Sequence, residues 1–195
     1  PLSAPFLSGL ASSHPNVGIS TTSGRTNEIM PRLATGELDA VFSASSFVER
    51  WPDIQIEEIA PLQRAIMVRK SHPLAQMDNF SRKDLLNYPV IRPETSDRGQ
   101  PEVNAIYKKM GLPNVKATYT TDDPTVMLSL LNSTDAYYAL LTNKSSIVAY
   151  RKQYGMVTLD HRLVSDHLCF AYSKTRSASP LVKDLIAIAR STMGE

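Results

Sequence analysis

Short runs of β-branched and apolar residues alternate with amphipathic helical stretches along almost the whole chain, and nothing else constrains the fold as strongly. A strand, a helix and another strand at this spacing imply crossover connections, and crossovers join parallel strands. Pro5, Phe6, Leu7, Leu10, Ala11 and His14 form a helical stripe between Ser3 and Pro15. Val17 and Ile19 alternate as a strand. Thr26 is the expected N-cap of a helix that buries Ile29, Met30, Leu33 and Ala34, and Gly36 closes it where a left-handed residue is wanted. Leu38 to Ala44 reads as an apolar strand, Ile54, Ile56 and Ile59 as an alternating one, and Ala65 to Val68 as another.

The middle of the chain repeats the scheme. Ser81 and Asp84 form a capping-box-like start to a short helix, and Tyr88 to Ile91 reads as a strand. Pro101 leads a helix through Val103, Ile106, Tyr107 and Met110 to Gly111, followed by a strand through Val115, Ala117 and Tyr119. Asp123-Pro124 opens a helix burying Val126, Met127, Leu130 and Leu131. Tyr137 to Leu141 is a strand, and Asn143 caps a helix running to Tyr154 and Gly155. Met156 to Leu159 and Leu168 to Tyr172 are strands, and a final helix from Pro180 buries Leu181, Val182, Leu185, Ile186 and Ala189. The expected class is α/β with mainly parallel sheets. No fixed period marks a solenoid. No Pro/Ser-rich linker is present, so two lobes would be joined by β-like crossings near residues 59–63 and 162–166.

At 195 residues the chain has room for one domain or two small lobes, and no run reaches the ~18 apolar residues of a membrane span. It opens with no secretory signal pattern, and the single cysteine, Cys169, can neither staple the fold nor form a zinc cluster. A reduced, cytoplasmic setting is expected. Residues 1–60 carry 3 basic and 7 acidic side chains, residues 61–163 carry 14 and 9, and residues 164–195 carry 4 and 3. The change of sign near residue 60 fits either two lobes or an unevenly charged surface, and a basic middle lobe favours an anionic small ligand. With no basic tract, direct DNA binding by this chain is not expected.

Catalytic constellations are missing: no G-x-S-x-G elbow, Gly-rich phosphate loop, H-E-x-x-H or G-x-G-x-x-G occurs. His14 and His72 precede prolines in turns, His161 and His167 flank the second crossing, and Asp122-Asp123 reads as a helix cap rather than a catalytic carboxylate pair. No enzyme, metal or cofactor is expected. Small polar residues do gather at the ends of strands, just before helices: Thr21, Thr22, Ser23 and Thr26; Ser43, Ser45 and Ser46; Thr95, Ser96 and Gly99; Thr120 and Thr121; Thr142 and Asn143. Ligands of open α/β sheets bind beyond those strand ends; each hydroxyl alone is more simply a cap, but five such loops drawn from both lobes are better explained by a shared cleft. Arg25, Arg92 and Arg98 are the cations near these loops, and Arg98 beside Gly99 is the first choice for a ligand-facing charge.

Pro5 to Val17, Thr26 to Ala40 and His72-Pro73-Leu74-Ala75 resemble, in order and spacing, the effector-binding domain of LysR-type bacterial transcriptional regulators. HPLA is a weak signature alone, whereas Gly36-Glu37-Leu38-Asp39 at the right distances from both flanks is fairly specific. The resemblance implies two Rossmann-like lobes joined by two crossover strands, like a type 2 periplasmic binding protein. Residues 1–60 plus 164–195 would form lobe I and residues 61–163 lobe II. A small effector, a carboxylate or other anion, would sit between the lobes and alter how subunits assemble on DNA. The implied ligand-binding residues are Thr22, Ser23, Thr26, Phe42, Ser43, Thr95, Ser96, Arg98, Gly99 and Thr121, with a core aromatic as the competing role for Phe42.

The same resemblance implies a homodimer or homotetramer, with the helix Pro5 to Ser13 lying on the helix Val126 to Leu131 of another subunit, or both filling their own cores instead. DNA would be read only through a winged helix-turn-helix absent from this chain, as would be the family's first strand, whose place lies before Pro1. Thr134 to Thr142 departs from the family's Gly-rich segment, having no glycine or proline, so that loop is not carried over. The alternative expectation is a periplasmic solute-binding protein that serves a transporter.

Overall fold

Helix ends show how local chemistry sets the elements. In the computed structural model, which describes residues 4–77, 80–93, 104, 108, 111–112, 116–158, 166–176 and 180–193, helix α1 spans Ala4–Ser13 and α2 spans Thr26–Ala34. The N-cap of α2 is Arg25, one residue before the expected Thr26, and the Glu28 carboxylate accepts the Arg25 N–H at 3.4 Å. The shift follows from the side chain at N3, since Glu28 is the right length to reach back to residue 25. Gly36, at φ +80°, ends α2 in the left-handed conformation that a Cβ would penalise.

Two compact units make up the chain, Pro1–Leu62 with Ser165–Glu195 and Gln63–Val164. In the first unit, β1 (Val41–Ala44) leads directly into the short helix α3 (Ser45–Val48). The long strand β2 (Ile54–Arg69) begins here, and β7 (Asp166–Ser173) returns, followed by helix α6 (Pro180–Met193). The sheet order is β1-β7-β2, antiparallel throughout. Met30, Leu33, Val48, Ile54, Cys169 and Ala171 form the core on one face. Phe42 packs edge-to-face against both Phe6 and Phe170, with Phe6 and Phe42 centroids 4.8 Å apart, and Phe6 is tilted against Phe170. Gly9 lets α1 approach α6 closely, since a Cβ there would meet Thr192 Cγ2 at 2.7 Å.

One expected strand is missing. Val17 and Ile19 lie in a stretch without regular structure and are 47% and 40% exposed. Alternation makes a strand only where another strand supplies the ladder, and no strand lies alongside this segment among the described residues.

The second unit has sheet order β4-β3-β5-β2-β6, with β3 at Val90–Arg92, β4 at Tyr119–Thr120, β5 at Tyr137–Thr142 and β6 at Tyr154–Thr158. Helix α4 (Pro124–Ser133) connects β4 to β5, and α5 (Lys144–Tyr150) connects β5 to β6. Strand β3 is parallel to β4 and β5, while β5 and β6 both run antiparallel to β2. The helix-linked strands therefore share one direction, as crossovers require, and β2 alone opposes them. Because β2 threads both sheets, antiparallel ladders outnumber parallel ones among the described residues, unlike the mainly parallel pairing expected.

The HPLA segment builds the wall of this second sheet. A 3-10 turn, Pro73–Gln76, follows the fully buried His72, whose Nδ1 accepts the Leu74 N–H at 3.0 Å. Its Nε2 donates to the Asp135 carbonyl at 3.0 Å, and its ring lies 4.5 Å from that of Tyr88. An imidazole with one accepting and one donating nitrogen is neutral. Burial lowers the His72 pKa below its usual 6.5, outweighing the raising influence of Asp135. The unfolded chain therefore binds a proton first on acidification, so stability is complete above pH 6.5 and declines as pH falls through that value toward the lower folded pKa. Urea unfolding at stepped pH should show this decline, and His72→Gln should flatten it. Gly155 in β6 leaves no room for a methyl group, which would sit 2.7 Å from Ala75 Cβ and 3.1 Å from the Arg69 carbonyl. Gly155→Ala should cost about 1–3 kcal/mol in the same measurement.

Candidate functional site

Loops at strand ends carry the polar residues of interest, and the structure divides them into those already engaged and those open to solvent. Thr22 and Ser23 are exposed in the irregular segment before α2, and Thr26 is half-buried in the first turn of that helix. Phe42 belongs to the aromatic cluster with Phe6 and Phe170, so its ring serves the interior of the first unit. Ser43, its neighbour on β1, accepts the Cys169 thiol proton through its carbonyl at 3.2 Å. Burial pushes that thiol up to about 12, which leaves it protonated and unreactive at neutral pH.

Ser45 and Ser46 point to a partner that the sequence concealed. The Asp166 carboxylate, only 5% exposed, accepts Ser45 Oγ at 2.9 Å, Ser46 Oγ at 2.6 Å and the Ser46 N–H at 3.2 Å. It also takes its neighbour's His167 N–H at 3.0 Å. Asp166 thus caps α3 from a position 120 residues away in sequence. These two serines are occupied inside the unit rather than facing a ligand. His167 itself lies 3.5 Å from the Glu58 carboxylate.

In the second unit, β3 ends at Arg92 and β4 ends at Thr120 on the same side of the sheet. The Thr121 N–H donates to the Arg92 carbonyl at 3.0 Å, and the Thr121 hydroxyl accepts the Asp123 N–H at 3.1 Å. Asp123 then caps α4 by accepting the Thr125 and Val126 N–H groups at 2.7 and 3.4 Å, which confirms the pair Asp122-Asp123 as a helix start. Thr142 and Asn143 end β5 at that same edge and are buried, with Asn143 capping α5 through the Ser146 N–H at 2.9 Å. Thr95, Ser96, Arg98 and Gly99 lie outside the described residues, as do most of the expected helix from Pro101 and residues 162–165 of the second crossing.

Two arginines change the picture of where positive charge sits. Arg92, only 3% exposed, donates through Nη1 to the Asn104 side-chain oxygen at 3.3 Å, and Arg64 on β2 is 6% exposed. Arg64 faces Leu141 near the end of β5, so both guanidinium groups belong to the strand-end edge of this unit. Arg64 was not singled out in the sequence because it stands beside Gln63, just ahead of the apolar run Ala65 to Val68. A polar pocket of about 540 Å³ opens at the opposite edge, between Arg69, Lys70, Asn132 and Asp135. There the Asp135 carboxylate already holds Arg69 at 2.6 Å. No group of three or more metal-ligating side chains occurs among the described residues.

These elements define a two-lobed, type 2 periplasmic-binding-protein-like fold. Residues 2–194 match the family described as the LysR substrate binding domain, and the chain belongs to that family. A regulator from Burkholderia cenocepacia, the HTH-type transcriptional regulator SsuR, is 25% identical over 105 residues, covering 53% of this chain and 34% of its own length. The chain thus spans about a third of the curated relative it matches. The LysR-family regulator HinK from Pseudomonas aeruginosa shares the fold at a TM-score of 0.67 and 16% identity, over 97% of this chain and 64% of that one. A transcriptional regulator from Vibrio parahaemolyticus, described as putative, gives 0.74 and 16% over 98% and 88%. The effector-binding domain of QuiR, solved with shikimate, gives 0.66 and 20% over 95% and 87%.

Removing the Asp166 carboxylate takes the shared acceptor from four buried or half-buried donors at once. Asp166→Ala should cost about 3 kcal/mol and Ser46→Ala about 1 kcal/mol in denaturant unfolding. A loss for Asp166→Ala no larger than for Ser46→Ala would remove the clamp from the account.

Proposed function

We propose that this chain is the effector-sensing regulatory domain of a LysR-type transcriptional regulator, that it binds a small anionic metabolite, and that binding controls the geometry of a DNA-bound oligomer. Family membership over residues 2–194 is the observation that carries this reading. The anionic character is supported by the 14 basic against 9 acidic residues of 61–163. Shikimate in the QuiR domain is a small carboxylate, which is the same ligand chemistry. The family disfavours a solute-binding protein of a transporter.

The ligand would be held by Thr22, Ser23, Thr26, Phe42 and Ser43 from the first unit, with Phe42 as an apolar wall. Thr95, Ser96, Arg98, Gly99 and Thr121 would contribute from the second. A ligand shifts an equilibrium only by its differential affinity for the two states. A 100-fold preference is worth ~2.7 kcal/mol, the scale of a few hydrogen bonds and one ion pair. Residues 59–63 and 162–166 would absorb the movement. Helix α1 of one subunit on α4 of another is the proposed subunit contact, within a dimer or tetramer.

A thermal-shift screen of small carboxylates, sulfur and nitrogen metabolites and inorganic anions tests the reading. A true effector at 100 times its Kd should add about 2.7 kcal/mol of stability. Thr22→Ala, Ser96→Ala and Arg98→Ala should each weaken that response. An effector whose binding ignores all three changes would place the site elsewhere.

A further inference from the structure

The polar pocket at the end of β2 lies wholly within the second unit, and family membership does not assign it. Because β2 runs antiparallel to β5 and β6, its last residue, Arg69, and the turn after it meet the loops that lead into those two strands. This is the edge opposite the strand ends beyond which open α/β sheets take their ligands. At about 540 Å³ the pocket has room for a small metabolite. Every described residue lining it is polar or charged, so an occupant is held by charge and hydrogen bonds rather than by apolar contact.

The lining groups divide into those already spent and those still open. The Ser133 hydroxyl donates to the Ser129 carbonyl at 2.8 Å, and the Thr134 hydroxyl to the Leu130 carbonyl at 2.7 Å. Arg69 is only partly spent. Its Nε and Nη2 donate to Asp135 Oδ1 at 2.9 and 2.6 Å, and its Nη1 donates to the Ser71 hydroxyl. A guanidinium carries five N–H groups, so two remain, and the second Asp135 oxygen is an open acceptor beside them. The Asn132 and Gln153 side-chain amides are exposed and make no hydrogen bond among the described residues. Lys70 Nζ makes one long contact, to the Lys152 carbonyl at 3.4 Å. Arg69 and Lys70, with exposed Arg151 and Lys152 just ahead of Gln153, set four cations against the Asp135 carboxylate. The C-terminus of α4 lies in the same wall and adds about half a negative charge, well below that excess.

We propose that this pocket is a second small-molecule site, separate from the effector site assigned above, and that it takes a hydroxylated anion of the sugar-acid or sugar-phosphate class. Lys70 and the two remaining Arg69 N–H groups receive the anionic head. The Asn132 and Gln153 amides, each both donor and acceptor, and the open Asp135 oxygen match hydroxyls, which also donate and accept. A simple anion leaves the amides unused, and a neutral polyol leaves the charge unused, so the lining selects for both features in one molecule.

The test uses the 195-residue chain with sodium gluconate and glucose 6-phosphate as probes. Sodium chloride at matched ionic strength and sorbitol at matched molarity are the references. One or both probes should raise the melting temperature saturably above both references, gluconate alone marking a carboxylate ligand and glucose 6-phosphate alone a phosphate ester. Lys70→Gln should weaken the probe midpoint about tenfold or more, because it removes a charge-assisted hydrogen bond, and Gln153→Ala about fivefold, the scale of a neutral one. Both side chains are exposed, so neither change should move the melting temperature without probe. Thr22→Ala, in the proposed effector site, should leave the probe midpoint unchanged. No saturable response to either probe, an equal response to sorbitol, or equal midpoints for wild type and Lys70→Gln would overturn the proposal. A response lost in Thr22→Ala and kept in Lys70→Gln would overturn it as well, by placing the probe in the effector site.

Discussion

Strand β2 is the constraint on which the rest of the structure depends. Among the described residues its first half, Ile54 to Leu62, pairs only with β7, and its second half, Gln63 to Arg69, lies between β5 and β6. One continuous backbone thus closes the hydrogen-bond accounts of two sheets, and both cores are built from its alternating side chains. Ile54 enters the core of the first unit, while Ala65, Met67, Ile66 and Val68 serve the two faces of the second. A register slip of one residue anywhere in β2 would invert every one of these side chains, so both sheets hold it in place. The ladder with β7 resets at the irregularity between Glu58 and Ala60.

Much of this architecture was legible because the helix boundaries are written in local chemistry. Asp123 capping α4, Asn143 capping α5, the Ser81–Asp84 box and Gly36 closing α2 all depend on groups within four residues of each other. What the pattern missed depends on partners far away in sequence. Ile54–Ile59 and Ala65–Val68 looked like two strands because Pro61 stands between them, yet they form one. Among the described residues β2 is an edge strand beside β7 at that point, so a residue without an N–H can sit there with no ladder bond lost. Val17 and Ile19 failed in the opposite way, having a strand's alternation but no neighbour to pair with.

The candidate site was legible as a set of loops but not as a set of roles. Ser45 and Ser46 carry the same hydroxyls as Thr22 and Ser23, and only the position of Asp166 reveals that the serines are already occupied. Charge counting had a similar limit. Among the described basic residues of 61–163 most are exposed, and partly exposed pairs such as Arg69 with Asp135 are worth little. Arg64 and Arg92 differ from most of the others in being buried, and burial of an individual side chain cannot be read from a count.

Affinity and switching then have separate origins in such a molecule. A group that grips the ligand from within the second unit alone contributes the same free energy in every arrangement of the two units, so it raises affinity without favouring one arrangement. Only contacts made in one arrangement and lost in the other can bias the equilibrium. In the site proposed above, contacts confined to one unit would anchor the ligand, while contacts that Thr22 and Ser23 make in one arrangement alone would supply the difference that a regulator reads. On this division of labour, changing the anchor alters how much effector is needed, and changing the hydroxyls alters how far a saturated protein responds. Dose–response midpoint and saturated amplitude, measured in the same set of variants, separate the two.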